Sequence, residues 1–222
     1  MAPAIYILIG PYGSGKTEVA LNLARREREN GRDTALIDLD IINPYFRSRE
    51  AATLAGGWGL RVISSVEGFE EADLPALSPS ILGALQTPGL CLVFDVGGDP
   101  VGARVLGRFH ALLAERTPEV WMVVNTYRPE TGSPEAIVAA ARRIAVAGRQ
   151  ALTGLVANPN LGPETDLASI RRGCRAVREA AGRLGLPVVY TAVREDLAEE
   201  ASRGDLGPIL PLRRYMLLPW ER

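Results

Sequence analysis

Ala4-Ile5-Tyr6-Ile7-Leu8-Ile9-Gly10-Pro11-Tyr12-Gly13-Ser14-Gly15-Lys16-Thr17 is the stretch on which the reading of this chain turns. Its first six residues are an unbroken apolar run, the pattern of a parallel strand buried on both faces. Its last eight match G-x-x-x-x-G-K-[ST], a loop whose backbone amides cradle phosphate oxygens while the lysine reaches between them. Glu18 to Glu29 then reads as a helix, with Val19, Ala20, Leu23 and Ala24 on one side and charges on the other. A glycine-rich turn can match the octapeptide by chance, but strand, loop and helix in this order place the amides at a helix N-terminus, where anions bind. The lysine itself is singular. Of 25 lysine and arginine residues only Lys16 is a lysine, which leaves 24 arginines. A compact ammonium fits between two phosphate oxygens where a planar guanidinium does not.

The 222 residues are 47% hydrophobic and carry a formal net charge of -1. A chain of this size buries roughly 70% of its unfolded surface, so neither disulfide nor metal is needed to hold it. The balanced charge excludes a global attraction to nucleic acid or anionic lipid. Cys91 and Cys174 form no C-x-x-C pair and read as buried thiols in a reducing compartment. Met1-Ala2-Pro3-Ala4 lacks the basic flank of a secretion signal, and no apolar run approaches the roughly 20 residues that span a bilayer. The expectation is a cytoplasmic protein with no membrane association.

Apolar runs alternate with helical segments along the chain, which predicts an α/β fold with a mostly parallel sheet and helices on both faces. Beyond the first unit, strands are predicted over 34–39, 60–64, 90–94, 120–124, 152–157 and 187–190. Helices are predicted over 79–85, 102–115, 134–147 and 163–184. No repeat, low-complexity linker or charge block divides residues 1–222, which read as one domain.

Strand ends supply the remaining chemistry. Gly13 to Thr17 should turn their amides toward the phosphates, and the Thr17 hydroxyl suits Mg²⁺. Asp95 follows the apolar run Leu90-Cys91-Leu92-Val93-Phe94 and precedes Val96-Gly97-Gly98-Asp99, so it reads as the metal-side carboxylate rather than a turn cap. Gly97 and Gly98 would let the backbone approach a terminal phosphate. Asp38 and Asp40 end the second strand, and alternation points them to opposite faces if the strand extends that far. The expected division gives Asp40 the orientation of the attacking water and Asp38 the water shell of the metal. The carboxyl ends of strands are where α/β sheets bind ligands, so these residues converge with Lys16.

Gly10 to Thr17, Asp38-Leu39-Asp40 and Asp95-Val96-Gly97-Gly98 together resemble the MinD/ParA and CobQ/CobB branch of P-loop proteins, in the SIMIBI class. The resemblance covers most of the chain in layout and is motif-specific at about twenty residues. It implies a three-layer α/β/α architecture with a seven- or eight-stranded sheet. It also implies Mg²⁺-dependent, ATP-driven switching, often through a nucleotide-dependent homodimer. The resemblance also carries Pro11, Tyr12 and Glu18 into the nucleotide-binding set, beside Gly10, Gly13, Ser14, Gly15, Lys16 and Thr17. The chain departs from the pattern at Pro11, where MinD/ParA proteins carry a second lysine that reaches the partner's nucleotide. The octapeptide is closer to that of the urease- and hydrogenase-accessory GTPases of the same class.

The base can be argued chemically. The common guanine reader, [NT]-K-x-D, needs a lysine and an aspartate, and Asn125-Thr126-Tyr127-Arg128 offers neither. Asn158, in Ala157-Asn158-Pro159-Asn160, stands where MinD/ParA-like proteins place an adenine-reading amide, and a turn residue before proline is the competing reading. ATP is thus favoured over GTP. Asn43 to Glu50 and Gly97 to Arg108 read as switch segments, with Arg47 or Arg49 replacing the missing lysine as a charge stabiliser. Arg171, Arg172, Arg175 and Arg178 read as a solvated helix face diluted by acids, which disfavours nucleic acid as a partner. The tail, Arg213 to Trp220, is too short for a membrane helix and is expected to fold over the domain or dock a partner protein. His110 has no ligand cluster around it and reads as structural.

Three functions compete. The first is an ATPase switch acting on an unidentified client protein. The second is an ATP-dependent synthetase or amidase that activates a carboxylate, as dethiobiotin synthetase does. The third is an accessory GTPase of the urease or hydrogenase kind, for which Cys-x-Cys or His-rich metal ligands are lacking.

Overall fold

A computed structural model describes residues 5–39, 57–64, 79–97, 106–107 and 109–216. Among these residues eight strands form one sheet in the order β3-β2-β4-β1-β5-β6-β7-β8, and every neighbouring pair is parallel. The strands are β1 (Ile5–Ile9), β2 (Thr34–Leu39), β3 (Arg61–Ser64), β4 (Cys91–Val96), β5 (Glu119–Val124), β6 (Gly154–Ala157), β7 (Val188–Arg194) and β8 (Ile209–Leu212). The described helices are α1 (Lys16–Glu29), α2 (Pro79–Gln86), α3 (His110–Ala114), α4 (Pro134–Gly148), α5 (Leu167–Leu184) and α6 (Glu195–Ser202).

Alternation along each strand sorts the core into two layers. Ile5, Ile7 and Ile9 of β1, Leu92 and Phe94 of β4, and Met122 and Val124 of β5 pack toward α4 and α5. Leu8, Val93 and Val123 point the other way, against Val19, Ala20, Leu23 and Ala24 of α1. Both faces are covered, which is why these strands are apolar throughout rather than alternating. The architecture is therefore three-layered, α/β/α. Topology reverses at β1: the chain moves to β2 and β3, returns to β4 on one side of β1, then proceeds through β5 on the other. The carboxyl end of β1 is thus a topological switch point, the position where open α/β sheets bind ligands.

Several expectations differ from the structure. β8 and α6 were not anticipated from the sequence. Pro208 and Pro211 argue against a strand, yet β8 is an edge strand, where a missing amide breaks only one side of the ladder. The helix expected from Pro163 begins at Leu167, because the Asp166 carboxylate accepts from the Ser169 amide and the Ser169 hydroxyl returns a bond in a capping box. Of the helix expected over 102–115, the structure describes helix at 106–107 and in α3. No described helix is long and apolar enough to cross a membrane.

Cys91 begins β4 and is fully buried. Burial pushes its thiol from the ordinary 9.0 up to about 11; nearby Glu27 adds to this while Arg32 and Thr34 oppose it. A pKa raised on folding contributes stability that is complete below the unfolded value and is lost as pH rises through the folded one. Over two units this amounts to about 2.7 kcal/mol. The stability of the wild-type protein, read from urea unfolding, should therefore fall more steeply between pH 9 and 11 than that of Cys91→Ala. Parallel slopes would contradict this.

Candidate functional site

The phosphate loop leaves β1 at Gly10, where an added Cβ would lie 2.5 Å from the Val123 carbonyl oxygen of β5. Only a residue without a side chain lets the chain turn so tightly over its neighbour. Gly15 caps α1 in the left-handed region, φ 88°, with no side-chain cap, and Val19 makes the first helical bond back to Gly15. The amides at the start of α1 therefore have no intrahelical acceptor, and the helix dipole adds partial positive charge there. Such a terminus binds anions. Lys16 is buried, 7% exposed, and its Nζ donates to the Pro11 carbonyl at 3.0 Å. The ammonium is thereby folded back over the loop that it would share with phosphates.

Two side chains brace the loop from behind. Asn158, at the end of β6, donates from Nδ2 to the Ser14 carbonyl at 2.8 Å. Arg128, after β5, donates from Nε to the Gly13 carbonyl at 3.1 Å. Asn158 also explains Gly15, since a Cβ there would sit 2.3 Å from Nδ2. The bond to Ser14 consumes one amide proton and leaves the Oδ1 acceptor and a second proton for another partner.

The carboxylates converge beside the loop. Asp38 of β2 and Asp95 of β4 are direct register partners, and Leu8 of β1 is the partner of Asp95 on the other side. Ile37 and Phe94 pack into the opposite core layer, so alternation turns both aspartates toward α1. The Thr17 hydroxyl donates to Asp95 Oδ2 at 2.7 Å. Asp38 and Asp95 are 8% and 5% exposed. Two buried carboxylates on adjacent strands repel one another in a weakly screening interior, and a divalent cation relieves that repulsion. No group of three or more metal-ligating side chains occurs among the described residues. Two carboxylates and a hydroxyl suit Mg²⁺, which keeps waters and phosphate oxygens as its other ligands rather than a full protein cage. The donor set fits the ion.

The remaining expected site residues divide. Gly97 is buried just beyond β4, and Tyr12 is 71% exposed on the loop. The carboxylate of Glu18 points to the chain's tail, accepting from the Tyr215 and Met216 amides. Burial pushes that carboxyl up, while the amides and the Arg214 charge pull it down. Asn22 exchanges two hydrogen bonds with Arg213, each 2.9 Å, and Arg25 donates to the Tyr215 hydroxyl at 2.7 Å. Residues 213–216 therefore lie along α1. Asp40, Arg47 and Gly98 fall outside the described residues, as do the segment Asn43 to Glu50 and most of 97–108. Arg171, Arg172 and Arg175 are exposed on α5. His110 pairs its Nδ1 with Gln150 at 3.3 Å. Sequence reasoning missed Arg128 as a loop contact and residues 213–216 as a strap along α1; each contact joins residues more than a hundred positions apart.

Sheet order and loop together give a three-layered α/β/α fold of the P-loop NTPase kind. Solved structures with a similar fold include a signal recognition particle protein and two FtsY proteins. The signal recognition particle 54 kDa protein of Aeropyrum pernix, solved with GDP, superposes with a TM-score of 0.56 at 18% identity, over 85% of this chain and 41% of that one. Chloroplast FtsY of Physcomitrella patens gives 0.59 at 20%, over 85% and 57%. FtsY of Elizabethkingia anophelis gives 0.60 at 17%, over 96% and 62%. The chain thus spans less than two thirds of each, and identities this low carry the fold alone. No protein-family profile matches the sequence, and no curated protein matches it.

Proposed function

We propose that this chain is a Mg²⁺-dependent nucleoside-triphosphate switch that prefers ATP and delivers a conformational change to a partner protein. The observation that carries the reading is the convergence of one buried lysine, an uncapped helix terminus and the Asp38–Asp95 pair at the switch point of the sheet. In this reading the loop amides and Lys16 bind the β- and γ-phosphates. Thr17 and Asp95 would hold the metal, with Asp38 beside them for its water shell. Magnesium, when bound, would offset the negative charge that develops in phosphoryl transfer. Asn158 reads the edge of the base with the amide atoms that Ser14 leaves over.

The GDP found in related folds makes a GTPase the second reading. Against it, Leu161 stands three residues after Asn158, where a guanine reader would place a carboxylate. An aspartate there would accept the guanine ring N–H and amino protons; leucine accepts neither. Mass spectrometry of the nucleotide retained by purified protein tests the base: adenine nucleotide is expected, and guanine nucleotide alone would overturn the preference. Turnover of ATP without any added small molecule is expected of a switch. Strict dependence on a carboxylate co-substrate would favour the synthetase reading instead.

A further inference from the structure

Arg128 reaches back to the phosphate loop, and the turn carrying it is tightly built. Residues 125–131 follow β5. Thr131 donates its hydroxyl to the Asn125 carbonyl at 2.7 Å, and the amides of Arg128 and Tyr127 bond to the Asn125 carbonyl and side chain. The Tyr127 hydroxyl anchors the turn to the Ser169 carbonyl of α5 at 2.9 Å. Pro129 holds Arg128 extended, φ −106° and ψ 141°, as a following proline requires. The same Asn125 side chain donates to the Asn160 carbonyl and accepts from the Asn160 amide, so the turn and the Asn158 loop form one platform.

From that platform two side chains reach consecutive loop carbonyls, Arg128 that of Gly13 and Asn158 that of Ser14. The guanidinium packs close against Gly13: a Cβ there would meet Nε at 2.8 Å and Cζ at 3.1 Å. Arg128 and Asn158 thus reach adjacent carbonyls of the loop from one platform.

Resting on the nucleotide reading above, we infer that Arg128 is the base-covering residue: its guanidinium plane stacks on the face of the purine whose edge Asn158 reads. Guanidinium planes stack on aromatic rings, and a lysine would offer no plane. It contacts the base and is not a phosphate ligand.

Calorimetric titration with Mg·ATP and with inorganic tripolyphosphate, which has no base, tests the assignment. Arg128→Ala is expected to weaken ATP binding about tenfold, the range of a stacked cation, and to leave tripolyphosphate within about twofold of wild type. Arg128→Lys should lose most of the same ATP affinity. Equal losses for both ligands, or no loss for ATP, would overturn the inference while leaving the nucleotide reading standing. Wild-type protein that binds neither ligand would overturn both.

Discussion

Lys16→Ala should abolish the thermal stabilisation that Mg·ATP gives the wild-type protein. Each hydrogen bond between a charged donor and a phosphate contributes about 1.5–3 kcal/mol, so losing an ammonium that bonds two phosphate oxygens weakens binding at least about a hundredfold. At a ligand concentration near a hundred times the wild-type Kd, binding stabilises the native state by about 2.7 kcal/mol. For a protein of this length that is a shift of roughly 5–10 °C. The variant at the same concentration should shift by about 1 °C or less. The shift is read against the variant's own unliganded melting temperature, since the substitution also removes the buried bond from Nζ to the Pro11 carbonyl. A full ligand-induced shift in the variant would show that the loop does not hold the phosphates.

Asp95→Asn should leave nucleotide binding within about tenfold and lower turnover by about 10²–10³-fold, the usual cost of removing one group aimed at transition-state charge. The substitution keeps size and an acceptor for the Thr17 hydroxyl, so the 2.7 Å contact can persist. What it removes is the formal charge facing the metal. Half-maximal activation should therefore need more Mg²⁺ than in the wild type, by about tenfold or more. Steady-state hydrolysis across a magnesium titration measures both effects. Unchanged magnesium dependence would move the metal away from Asp95.

The parts of the fold that could be read directly from the sequence are those where one physical demand dominates. β1, β4 and β5 are buried on both faces, so their apolar runs are unbroken and only one element type explains them. β8 shows why other parts could not be read: its prolines look like breakers until the strand is known to lie at an edge, and edge position is a property of the whole sheet. α6 is acidic and keeps only Leu197 and Ala201 against the core, too thin an apolar stripe to announce a helix. The capping box at Asp166 was visible in sequence terms, but the proline three residues earlier drew the helix start away from it.

The site divides along the same line. Lys16, Thr17, Asp38 and Asp95 sit in or beside runs whose meaning is local, and could be named. That Asp38 and Asp95 share a face depends on register between β2 and β4, which no single strand records. The bracing of Gly13 by Arg128, and the strap that ties Glu18, Asn22 and Arg25 to residues 213–216, depend on the sheet bringing distant segments together. Glu18 is the instructive case. Its place directly after Thr17 suggests the nucleotide, whereas its carboxylate is committed to backbone amides of the tail.

Isothermal calorimetry of the wild-type protein with Mg·ATP and Mg·GTP addresses the central claim most directly. The account predicts one site per chain, tighter for ATP, and binding weakened at least about a hundredfold in Lys16→Ala. Absence of binding to both nucleotides by folded wild-type protein, or equal binding by the alanine variant, would contradict it.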